Sequence, residues 1–134
     1  VTALYVTLVL DLEPYPQPRP RVTCRGKIPR AYEVPRATAW KAAALLLIKQ
    51  EMKRWKVKKF TGPLRVSCEF ALKRGAVPIE RTKPDLDNLA KSLLDAATNA
   101  GLWEDDRQVV ELSLRKRFAG GAPYITLNVW DIAR

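Results

Sequence analysis

Apolar positions recur every second residue over 64–72, where Leu64, Val66, Cys68, Phe70 and Leu72 share one face. They do so again over 108–118, where Val110, Leu112, Leu114 and Phe118 alternate with Glu111, Ser113, Arg115 and Arg117. Both stretches read as strands with one buried face. Residues 3–11 are apolar or β-branched on both faces, Leu4, Val6, Leu8 and Leu10 on one and Tyr5, Thr7 and Val9 on the other. Such a two-sided strand is expected inside a sheet rather than at its edge. Residues 119–123, AGGAP, turn the chain into a last strand over 124–130, and the final two strands are expected to pair as an antiparallel hairpin.

The helical period appears twice. From Pro35 to about Trp55 the chain is rich in good helix formers, with proline placed in the first turn. Residues 42–48 of this helix are apolar nearly all round, which predicts burial on two sides, against the sheet and against another helix or a second subunit. Over residues 86–100, Leu86, Leu89, Ala90, Leu93, Leu94 and Ala97 form one stripe, and Gly101 closes the helix. Between these elements lie Thr61-Gly62-Pro63, a break, and residues 73–84, a basic loop containing Gly and Pro. Residues 13–36 carry six prolines, which rule out regular helix and disfavour a central strand. The order β, long loop, α, β, loop, α, β, β, without internal repeats, predicts a single α/β domain over residues 1–134. Its mixed four-stranded sheet is packed by two helices and ends in the C-terminal antiparallel hairpin.

Composition narrows the chemistry. The 24 Lys and Arg outnumber the 14 Asp and Glu, for a net charge of +10, and point to a polyanionic partner, nucleic acid before an anionic membrane surface. No apolar run approaches the roughly 20 residues of a membrane span, and the first ten residues lack the marks of a signal peptide, so a soluble, cytoplasmic protein is expected. With no histidine, Ser-His-Asp and Cys-His nucleophiles and His-ligated metals are excluded. Cys24 and Cys68 form no CxxC and read as one loop thiol and one buried thiol. The tools left are carboxylates, Lys, Arg, Tyr and a hard metal ion. In the proline-rich loop, Arg19, Arg21, Arg25, Lys27 and Arg30 are interleaved with Tyr15 and Tyr32. They read as phosphate contacts, or more plainly as a stiff solvated connection.

Acidic groups gather in residues 82–108, TKPDLDNLAKSLLDAATNAGLWEDDRQ. One reading is structural: Asp85 as an N-cap, Asp87 as a first-turn acid favoured by the helix dipole, and Asp87, Lys91 and Asp95 as an exposed i,i+4 ladder. Distance favours another. A 15-residue helix is about 22 Å long, and residues 101–106 extended span about 20 Å. A chain reversing at Gly101 is therefore expected to deliver Asp106 beside Asp85 and Asp87. Three such carboxylates repel unless a cation joins them, and Mg²⁺ with oxygen ligands suits the set.

The run KPDLDNLAKSLLDAATNAGLWEDDRQVVEL resembles the signature of the RusA-type Holliday-junction resolvases, D-x-D-N-x-x-K, then LDA, then DD-x-Q-V, from Asp85 through Val109. The dense motif covers about a fifth of the chain, and the looser layout nearly all of it. The resemblance implies a homodimeric, Mg²⁺-dependent endodeoxyribonuclease, bacterial or phage-encoded, that cuts four-way DNA junctions in recombination and repair. It places the metal-binding acids on Asp85, Asp87 and Asp106 and the essential lysine on Lys91. Pro84 departs from the pattern, standing where some members carry a basic residue, and Lys83 beside it is the substitute DNA contact. Asp105 either orients a ligand or ends the loop, Asn88 either supports the helix start or braces a metal ligand from behind, and Asp95 is structural. Lys73, Arg74, Arg115 and Arg117 are lesser DNA candidates. Lys116, in phase with buried positions, either surfaces at the strand end or reaches DNA. A non-catalytic DNA-binding protein and a structural protein with a basic docking surface are the other classes the sequence allows.

Overall fold

The computed structural model describes residues 5–16, 21–23, 30–32 and 35–133. The elements run β1 (Tyr5–Leu10), β2 (Arg21–Thr23), β3 (Arg30–Tyr32), α1 (Pro35–Arg54), β4 (Leu64–Leu72), α2 (Leu86–Ala100), β5 (Val109–Phe118) and β6 (Tyr124–Asp131). The two helices and the four long strands stand where the periodicity predicts them. Inside the proline-rich stretch, β2 and β3 pair antiparallel as a separate two-stranded sheet, an element that proline counting alone does not reveal.

The main sheet has the order β1-β6-β4-β5. Two expectations change here. β5 and β6 run in opposite directions but are not hydrogen-bonded to each other: β4 lies between them, parallel to β5 and antiparallel to β6. Crossing one strand needs only about 10 Å, which residues 119–123 span. The centre goes to β4, whose inward residues Leu64, Val66, Cys68, Phe70 and Leu72 are all buried and so gain most from neighbours on both sides. The second change is that β1 lies at an edge. Its Leu8 and Leu10 are buried, but Val9 is 47% and Tyr5 53% exposed, so only one of its apolar faces is used. The edge is partly covered by the Glu51 carboxylate of α1, which accepts from the Val9 N–H at 3.1 Å.

Both helices lie on the face that carries Leu8, Leu10, Val66, Phe70, Leu127 and Val129, and these close one core with α2 residues Leu89, Leu93, Ala96 and Ala97. Each fully buried leucine contributes about 2 kcal/mol. α1 packs on both surfaces expected of it, the sheet at β1 and the second helix α2, but is not buried all round. Ala44 and Ile48 are buried, Leu45 and Leu47 partly so, and Leu46 remains 59% exposed. The other sheet face is polar and charged: Arg117 pairs with Glu69 at 2.6 Å, and Arg65 pairs with Glu111. Cys68 is free and buried, and that burial pushes its thiol up to about 12. Cys24 lies outside the described residues.

β4, α2 and β5 form a βαβ unit, and α2 thereby separates two groups of acids, one at each of its ends. Leu102 and Trp103, both fully buried, pin the chain into the core just after Gly101, whose left-handed φ of 82° ends the helix.

Candidate active site

At the start of α2, Asp85 occupies the N-cap position with extended backbone, yet its carboxylate makes no cap hydrogen bond. Asp87 follows in the first turn, and both residues are exposed. Lys91, one turn on, is exposed too. The i,i+4 ladder does not form: among the described residues Lys91 makes no ion pair, and Asp95 pairs instead with Lys41 of α1 at 3.5 Å. Asp95 thus ties the two helices together, the structural part expected of it.

The approach to Asp85 is held by Lys116. Its position opposite Phe70 puts it on the helix-bearing face of the sheet, where its ammonium donates to the Thr82 carbonyl at 2.7 Å and, more weakly, to the Pro84 carbonyl at 3.5 Å. Its in-phase placement therefore has a structural cause, the anchoring of the loop that presents Asp85. Lys83 on that loop is exposed. Arg74 lies over Phe118 at 4.7 Å, while Arg115 and Arg117 reach Glu69 at 4.0 and 2.6 Å. Of the loop candidates, Arg21 and Arg30 belong to the paired strands β2 and β3, and Arg19, Arg25 and Lys27 lie outside the described residues.

The third acid stands elsewhere. Asp106 opens a single 3₁₀ turn, Asp106–Gln108, and with Asp105, Asp95, Thr98, Asn99 and Lys41 lines a cleft of about 240 Å³ beside the C-terminal half of α2. Asp95 lies eight residues past Asp87, about 12 Å along the helix axis. The return from Gly101 brings Asp106 beside Asp95, not into a three-acid cluster with Asp85 and Asp87. Leu102 and Trp103 turn inward instead of extending, and Phe60 clasps the segment through its N–H, which donates to the Leu102 carbonyl at 2.9 Å. Among the described residues no three acids come close enough together to hold one ion.

The 3₁₀ turn is tightly organised. Asp105 accepts from the Arg107 N–H at 2.8 Å and from its guanidinium at 3.1 Å, and these bonds hold its carboxyl below the ordinary range. Asp105 is therefore the cap of this turn. Gln108 completes it: Oε1 accepts from the Glu104 and Asp105 N–H groups at 2.8 and 2.9 Å, and Nε2 donates to the Phe60 and Gly62 carbonyls, both at 3.0 Å. The D-x-x-Q spacing of a capping box was present in the sequence at 105–108, and it is the signal that identifies Gln108 as an organising residue. Asp106 is pushed the other way, above the ordinary range, first by desolvation and then by the hydrogen bond and charge of Asp105 and the charge of Asp95.

Hard oxygen donors at both ends of one helix, on a strongly basic α/β domain, define a protein able to set a cation against a polyanion. Sequence comparison identifies the family. The chain matches the family described as Endodeoxyribonuclease RusA over residues 11–129 and belongs to it. It is 25% identical over 120 residues to the crossover junction endodeoxyribonuclease RusA of Aquifex aeolicus (strain VF5), covering 90% of this chain and 88% of that protein. Over 53 residues it is 51% identical to the protein of the same name from Escherichia coli (strain K12), covering 40% of this chain and 38% of the relative. The same identity and coverage relate it to the crossover junction endodeoxyribonuclease of Enterobacteria phage 82.

Proposed function

We propose that this chain is a Mg²⁺-dependent endodeoxyribonuclease that hydrolyses phosphodiester bonds at four-way DNA junctions, acting as a homodimer in the cytoplasm in recombination and repair. The observation that carries the reading is the spare carboxylate of Asp85. A residue at an N-cap ordinarily spends its side chain on the helix, and here neither it nor Asp87 is bound to a described residue. Exposed, uncommitted carboxylates one residue apart fit a hard, oxygen-seeking ion. When bound, the ion polarises a non-bridging phosphate oxygen and lowers the pKa of a bound water.

Asp85 and Asp87 supply two donors. Lys91, without an ion-pair partner among the described residues, offsets the charge that builds on the phosphate. Asp106 is the third donor. Because in its own chain Asp106 lines a cleft with Asp95, Thr98 and Asn99 and joins no three-acid cluster among the described residues, we assign the third place at each site to the partner subunit's Asp106. A two-fold dimer then carries two sites for a nearly two-fold substrate. Lys83 lies beside the acids, and Arg19, Arg21, Arg25, Lys27 and Arg30 extend the phosphate-binding surface.

The test is incubation with a labelled four-way junction with Mg²⁺ and with chelator. Cleavage only with the ion supports the reading. Tight binding without cleavage identifies a non-catalytic junction binder, and no binding at low salt removes DNA as the partner.

A further inference from the structure

At the far edge of the sheet from β5, a cleft of about 470 Å³ opens between β1 and the segment that follows α1. The apolar Val57 and Phe60, the aromatic Tyr5 and Trp55, and the basic Lys56 and Lys58 line it. Tyr5 and Trp55 are each more than half exposed, 53% and 54%. Five of the seven residues from 53 to 59 are Lys or Arg, and no acid occurs in the sequence between Glu51 and Glu69. Lys53, Lys56, Lys58 and Lys59 form no ion pair with any described residue. Arg54 lies 5.1 Å from the Trp55 ring centroid and pairs with Glu51 at 3.7 Å.

The backbone supplies an independent observation. The Val57 N–H donates to the Met52 carbonyl at 2.8 Å and the Lys56 N–H to the Lys53 carbonyl at 3.3 Å, the paired bonds that end a helix with a left-handed residue. That residue is ordinarily glycine. Here it is Lys56, at φ 54°, the one left-handed non-glycine among the described residues. A strained side chain retained in a cleft wall points to use.

We propose that this cleft is a subsite for an unpaired nucleotide of the DNA, its base against Trp55 and Tyr5 and its phosphates on Lys56 and Lys58. The proposal rests on the DNA-substrate reading above. Duplex backbone requires only the lysines; the apolar and aromatic lining adds a place for an exposed base face. The subsite adjoins the acid-bearing turn. The Phe60 N–H donates to the Leu102 carbonyl at 2.9 Å, and the Phe60 carbonyl accepts from Gln108 Nε2 of that turn at 3.0 Å.

Fluorescence anisotropy of a short oligothymidylate, with a blunt duplex as control, tests it. Trp55→Ala is expected to weaken oligothymidylate binding by about tenfold and duplex binding by less than about twofold, with Trp55→Phe retaining most of the affinity. Lys56→Gly is expected to bind the oligonucleotide several-fold more weakly while its thermal midpoint rises, because glycine relieves the left-handed strain. Unchanged oligonucleotide binding in either Trp55→Ala or Lys56→Gly, or an equal loss on duplex in Trp55→Ala, would overturn the subsite. Junction cleavage by the wild-type dimer is read separately. Trp55-dependent oligonucleotide binding without cleavage upholds the subsite and removes the junction reading; cleavage with Trp55-independent binding does the reverse.

Discussion

At the N-terminal end of α2, Asp85 and Asp87 are exposed and make no bond to any described residue. At the other end, Asp105 is held by Arg107 and Gln108, and Asp106 is crowded by Asp105 and Asp95. The same side chain thus serves two purposes. Carboxylates at the first end are kept out of the fold's own hydrogen bonding, so their charge is available to something else. At the second end one carboxylate is consumed in building a turn, and its neighbour has a raised pKa, first from desolvation and then from the hydrogen bond and charge of Asp105 and the charge of Asp95. A bound cation would lower that repulsion, and Asp95, which lines the same cleft as Asp106, lies about 12 Å along the helix axis from Asp87.

The sharpest way to break this comparison is complementation. Asp87→Asn and Asp106→Asn are each expected to reduce junction cleavage by on the order of a hundredfold to a thousandfold, with junction binding intact. Dimers mixed from the two variants are expected to recover single-strand nicking, since one of the two shared sites regains all three acids. If each site were built within one chain, both would stay defective and mixing would restore nothing.

Stability changes come next. Gln108→Ala removes four hydrogen bonds around the 104–108 turn and is expected to cost about 2–3 kcal/mol in denaturant unfolding. Lys116→Met frees the 82–84 loop and is expected to cost about 1–2 kcal/mol, with a lower midpoint. An equal or larger loss than for Gln108→Ala would mean that the N-terminal end is the more constrained of the two.

The smallest effect is electrostatic. Asp106 sits above its unfolded value, so its contribution to stability is present below that value and is lost as pH rises through the raised one. Asp105 sits below its unfolded value, so its contribution is present above that value and is lost as pH falls through the lowered one. Asp105→Asn keeps a capping oxygen but removes the charge. The Asp106 carboxyl is then expected to titrate at lower pH, as followed by NMR; an unmoved titration would leave desolvation and the charge of Asp95 as its causes.

Much of this was legible along the chain. The period of two in β4 and of 3.6 in α2, the glycine at 101 and the acids between 85 and 106 required no coordinates, because each reflects a local rule of backbone geometry and solvent exposure. The misplaced features have a common origin. Alternation shows which face of β1 and β5 is buried but not which strands lie beside them, so β1 reached an edge and β4 came between β5 and β6. Counting reach from Gly101 to Asp106 gives the longest path a chain can take, and the burial of Leu102 and Trp103 shortened it.

By itself, then, the sequence determined the two helices and the four long strands, the family and the acids available for chemistry, since these depend on residue type and spacing. Only the tertiary structure decided that Asp85 keeps its carboxylate from the cap, that Lys116 anchors the loop before it, and that Asp106 belongs to the opposite end of α2. Those outcomes follow from competition among side chains for the same core and the same hydrogen bonds, contacts between residues far apart in the chain that no local pattern encodes.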